Sequence, residues 1–137
     1  MSDFRFTIYD RLPSLNDVTR WNRANKYSGN QHKQALQDTI GWEIRKARVA
    51  HTIEPVEAPV ELLITFYEPS KRRDVDNVQS ATKFILDALV ASKILPNDNP
   101  KWVRQVYHVV KYTDRPEDKR VIVEMTYGTY EVIEHED

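Results

Sequence analysis

A strand pattern, a crowded polar run and a helix pattern follow one another in the middle of this chain, and the rest must fold around that junction. Residues 60–67, Val-Glu-Leu-Leu-Ile-Thr-Phe-Tyr, are rich in β-formers and end at Glu68-Pro69-Ser70. Residues from about 77 to 93 carry Val78, Ala81, Ile85 and Leu89 at helical spacing. Between the two stand Lys71, Arg72, Arg73, Asp74, Val75, Asp76 and Asn77. In an extended backbone residues i and i+2 face the same side, so Asp74 and Asp76 point one way, with Val75 turned to the core. Two carboxylates that close repel each other unless one is protonated or a cation lies between them. Ligation by oxygen alone suits a hard cation, Mg²⁺ or Mn²⁺. The three preceding cations attract a polyanion to it, and metal beside phosphate is phosphodiester chemistry. The same Asp-x-Asp-Asn is also a good helix N-cap, and a charge run at a loop is most often only solvated. On these seven residues alone both readings stand.

Composition narrows the field. A chain of 137 residues fits one domain, residues 1–137, long enough for a real core. It has no cysteine, which rules out disulfides and Cys-ligated zinc. The start Met1-Ser2-Asp3-Phe4-Arg5-Phe6 lacks the apolar centre of a signal peptide, and no apolar run is long enough to span a bilayer. The expectation is a soluble cytoplasmic protein. A net charge of −1 is unlike a generic nucleic-acid binder, but its distribution is uneven. Arg11, Arg20, Arg23, Lys26, Lys33, Arg45, Lys46 and Arg48 face only Asp17, Asp38 and Glu43, whereas residues 128–137 form an acidic tail. One basic face is compatible with binding nucleic acid on that side. His32, His51, His108 and His135 have no metal-ligand spacing; each reads as surface or satisfied core.

Along the chain, Phe4, Phe6 and Ile8 alternate with polar residues as a first strand. Residues 12–30 show no periodicity, and their Pro, Ser, Asn and Gly mark a long loop. Its interleaved Arg20, Trp21, Arg23, Lys26 and Tyr27 are side-chain types that hold phosphates and stack bases; Trp21 can equally anchor the loop on the core. A helix opens at residue 30 or 31 and runs to about 50, with Leu36, Ile40, Ile44 and Ala47 on its apolar stripe. On the central helix Ser80, Lys83 and Asp87 share the face opposite the buried stripe, in line with Asp76. Lys83 can also be an i,i+4 partner of Asp87. A polar turn with a third carboxylate, Asp98, leads to strands at 103–112 and 121–127, expected as an antiparallel hairpin. The sum is an α+β domain: a mixed β-sheet of four to five strands packed by two main helices.

The ordered set Asp74-x-Asp76-Asn77, a helix with Lys83 and Asp87-Ala88-Leu89, then Asp98, resembles the RusA family of Holliday-junction resolvases. Leu12-Pro13-Ser14-Leu15-Asn16 and the Arg/Tyr-rich loop beyond it are similar to that family's N-terminal part, so the resemblance spans most of the chain. It implies a homodimeric, Mg²⁺-dependent endonuclease that cuts four-way DNA junctions in recombination and repair, often of prophage origin. It also implies a catalytic set of Asp74, Asp76 and Asp98, which hold the metal, with a lysine. In the family the lysine follows Asp-Asn by about one helical turn. Here Ser80 has that spacing, while Lys83 lies three residues on, at the family's distance before Asp-Ala-Leu. The role goes to Lys83.

On that basis Lys71, Arg72, Arg73, Asn77, Arg20, Arg23 and Lys26 are the expected DNA contacts. No glycine-rich phosphate loop is present, so no nucleotide cofactor is expected. The alternatives are a non-catalytic DNA-binding protein on the same fold and a nuclease for other branched DNA or for RNA.

Overall fold

The computed structural model describes residues 2–9, 23, 26–69 and 81–131. Its elements are β1 (Phe4–Ile8), α1 (Lys26–Val49), β2 (Val60–Glu68), α2 (Thr82–Ala91), β3 (Val103–Tyr112), a 3₁₀ turn (Pro116–Asp118) and β4 (Arg120–Thr126). The four strands form one mixed sheet in the order β1-β4-β2-β3. β4 runs antiparallel to both β1 and β2, while β2 and β3 are parallel. The α+β class and the two main helices therefore match the expectation.

Alternation builds the core. Phe6 and Ile8 of β1, Leu62, Ile64 and Phe66 of β2, and Val121, Val123 and Met125 of β4 are buried in one cluster with Ile40 and Ile44 of α1 and Ile85 and Leu89 of α2. Both helices thus cover the same face of the sheet, and α1 packs on α2 and β1. Each fully buried aliphatic side chain contributes about 1.5–3 kcal/mol. The expected stripes hold: Ile40, Ile44, Ala47, Ala81, Ile85 and Leu89 are buried, and Leu36 packs against them half-buried. Val78 lies outside the described residues.

Two boundaries and one pairing differ from the expectation. α1 begins at Lys26, so Tyr27, Ser28, Gly29 and Asn30 belong to the helix rather than to a loop. α2 ends at Ala91, before residue 93. There Lys93 N–H donates to the Val90 carbonyl and Ile94 N–H to that of Leu89, with Lys93 at φ 62. This is a Schellman ending, and it turns Ile94 and Leu95 into the core. α1 ends the same way: His51 N–H donates to Arg48, Thr52 N–H to Ala47, and His51 sits at φ 61.

The expected β3–β4 hairpin does not form. β4 crosses beyond β2 and inserts between β2 and β1. Burial explains the choice. Val121, Ile122, Val123, Met125 and Thr126 need cover on both faces, which a central position supplies, whereas β3 is largely exposed and suits an edge.

The start of the acidic tail is tied down. Tyr130 N–H donates to Glu61 Oε1, 2.9 Å, and the Tyr130 hydroxyl lies 2.8 Å from Ser2 Oγ. Its ring meets Tyr107 edge-on. Among the described residues, no helix is long and apolar enough to cross a membrane.

Candidate nucleic-acid interface at the end of the parallel strands

The charged run joins the carboxyl end of β2 to the amino end of α2. Strand β2, helix α2 and strand β3 form a parallel crossover, and in such units ligands gather outside the carboxyl ends of the strands. Asp74, Asp76, Asn77, Lys71, Arg72, Arg73, Ser80 and Arg20 lie outside the described residues, so their geometry carries nothing here. Arg23 is exposed. Lys26 is the first residue of α1.

What surrounds this end of the sheet is described. Glu68 closes β2, 3 % exposed, and its carbonyl accepts Thr113 N–H at 2.9 Å. One residue earlier, Tyr67 is flanked in register by Lys111 of β3 and Arg120 of β4. That register explains two cation–π contacts on one ring: Arg120 Cζ at 4.0 Å and Lys111 Nζ at 5.9 Å from the Tyr67 centroid. Arg120 Nη1 also donates to the Asp118 carbonyl, 2.8 Å. Tyr67, Tyr112, Thr113, Arg115 and Arg120, with Asp114 and Asp118, line a cleft of about 370 Å³. Cations interleaved with aromatic rings can hold phosphates and stack bases. Sequence reading missed this group because it draws on three strands and because residues beyond 114 look acidic overall.

Lys83 stands exposed in the first turn of α2, and that turn is fixed to β3. Thr82 Oγ1 lies 2.6 Å from His108 Nε2, and the His108 ring stacks on Phe66 with centroids 6.3 Å apart. Burial lowers the His108 pKa, and the ring sits half-buried between Phe66 and the first turn of α2. Among the described residues Lys83 and Asp87 form no ion pair, so the i,i+4 reading of Lys83 is not realised.

Asp98 is elsewhere. It is exposed in the turn after α2, where Asn97 Oδ1 accepts Asn99 N–H and Asn99 Oδ1 accepts Lys101 N–H. The Asn99 carbonyl takes Trp102 and Val103 N–H, and Trp102 O takes Val60 N–H. These bonds set Asp98 at the amino end of β2 and β3. The ten residues of α2, roughly 15 Å of helix, separate it from Lys83. Among the described residues, no three of His, Asp or Glu come together as metal ligands. The expected ligands are all carboxylates, a donor set that fits Mg²⁺ in chemistry.

Comparison with protein-family models and with curated proteins finds no match.

Proposed function

We propose that this protein is a Mg²⁺-dependent, structure-specific endodeoxyribonuclease that resolves four-way DNA junctions, acting as a homodimer in the cytoplasm of a bacterium or phage-infected cell. The observation that carries this reading is the place of the ordered run Asp74-x-Asp76-Asn77 in the chain order. It follows β2, whose carboxyl end carries Tyr67 with Lys111 and Arg120 on its ring, and precedes the helix whose first turn carries Lys83.

Asp74, Asp76 and Asp98 would hold the metal. Bound there, Mg²⁺ would make water a better nucleophile and stabilise charge growing on phosphorus. Lys83 neutralises that charge from the first turn of α2. Lys71, Arg72, Arg73 and Asn77, with Arg20, Arg23 and Lys26, fix flanking phosphates, which positions the strand without reading its sequence.

Lys83 and Asp98 belong to opposite ends of α2, and a second copy resolves the separation. In a C₂ pair the Asp98 end of one protomer serves the Lys83 end of its partner, and two such sites match the two opposed nicks a symmetric junction needs. The test is an Asp76→Asn variant on a synthetic four-way junction. It binds the junction and leaves it intact under Mg²⁺. Retained cutting removes Asp76 from the chemistry.

A further inference from the structure

Where α1 lies along α2 the helices leave an open groove of about 550 Å³, lined by Gln37, Trp42, Arg45 and Arg48 on one side and by Ala88 and Ala91 on the other. The small residues of α2 keep it open, and a Cβ placed on Gly41 in its wall would meet nothing within 4 Å. Trp42 is 56 % exposed, an unusual setting for the largest apolar side chain on a helix that buries its other face. The Arg45 guanidinium lies 5.9 Å from the Trp42 ring.

Arg45 and Arg48 are exposed, and among the described residues neither enters an ion pair. Lys46 between them, on another face, is neutralised by Glu43 at 2.7 Å. The acid of the groove, Asp38, already accepts from Gln34 Nε2 at 2.9 Å.

We propose that this groove binds an unpaired stretch of DNA, with a base stacked on Trp42 and the adjoining phosphates on Arg45 and Arg48. An indole with two available guanidiniums complements a polymer that alternates flat rings with anions. A groove of about 550 Å³ has the volume for a nucleotide and not for a duplex. An acidic peptide would satisfy the cations yet leave the indole without a flat partner. The choice of DNA rests on the proposed function; the residues are separate from it. A branch point is also where unstacking a base costs least.

The test is anisotropy of a labelled oligothymidylate of about a dozen nucleotides, within the usual site sizes, titrated with the full chain in chelator so that nothing is cut. Trp42→Ala weakens binding about ten-fold, the range of one lost stack, while Trp42→Phe keeps most of it. Arg45→Gln and Arg48→Gln each lower the salt slope by roughly 0.7. Because Trp42 is exposed, circular dichroism of these variants matches the parent.

Unchanged oligonucleotide affinity in Trp42→Ala, or no binding by the parent, overturns the proposal. So does sedimentation showing that Trp42→Ala only separates a dimer while oligonucleotide binding persists, since the groove is then a self-contact. Junction cutting, followed in parallel, separates the two claims. A chain that cuts junctions but ignores Trp42 loses this site alone, and one that binds through Trp42 without ever cutting loses the nuclease function alone.

Discussion

His108 shows how a single side chain reports on packing. Its ring stacks on Phe66 and meets the Thr82 hydroxyl, and burial holds its pKa below the ordinary 6.5. On acidification the unfolded chain takes up a proton at about 6.5 while the folded chain does not. Stability from this residue is therefore complete above that pH and falls as pH drops toward the lowered folded value. The urea midpoint should decline between about pH 7.5 and 5 more steeply in the parent than in His108→Gln; equal slopes would contradict the assignment. Lys83→Ala should cut junctions about a hundred-fold more slowly, typical of losing one group that stabilises transition-state charge, with Ser80→Ala nearly unchanged. The reverse pattern in a cleavage time course would move the lysine's role to the Ser80 position. At this scale the sequence was partly legible. His108 carried no ligand spacing and is a half-buried residue stacked on Phe66. Trp42, by contrast, sits two residues from both Ile40 and Ile44, about 200° away on the helix. That angle already places it opposite the buried stripe.

Element types were readable because burial on one face imposes its period on the sequence: Phe6 and Ile8 in β1, Ile40 and Ile44 in α1, Ile85 and Leu89 in α2. Their ends were not, since the usual glycine is missing at both helix C-termini. His51 and Lys93 take the left-handed conformation instead, and no pattern announces it. Lys93→Gly should accordingly stabilise the fold by about 0.5–1 kcal/mol, the left-handed penalty less the added freedom of the unfolded chain. An unfolding titration that shows a loss would mean the Lys93 side chain supports the turn. Leu89→Ala, deleting a fully buried side chain, should cost about 2–5 kcal/mol by the same measurement. The β3–β4 hairpin was the natural expectation for neighbouring strands. It lost to the demand of Val121, Ile122, Val123 and Met125 for cover on both faces, a property of the whole sheet that a local window does not contain.

At the scale of the molecule the crossover from β2 through α2 to β3 governs the account. It sets the segment that carries Asp74 and Asp76 after one end of the sheet, and Asp98 at the other. The order of the three acids was legible from spacing; that Lys83 and Asp98 lie at opposite ends of α2 was not, because it depends on where that helix starts and stops. If two copies complete each other's sites, mixing Asp76→Asn with Asp98→Asn subunits should restore single nicks, since each mixed dimer then holds one intact site, although each variant alone is inactive. No recovery in the mixed sample would place all three acids within one chain. The most direct measurement of the central claim is cleavage of a synthetic four-way junction beside a plain duplex of the same sequence, each with Mg²⁺ and with chelator. The account predicts paired nicks in the junction under Mg²⁺ alone. An intact junction under Mg²⁺, or equal cutting of the duplex, would contradict it.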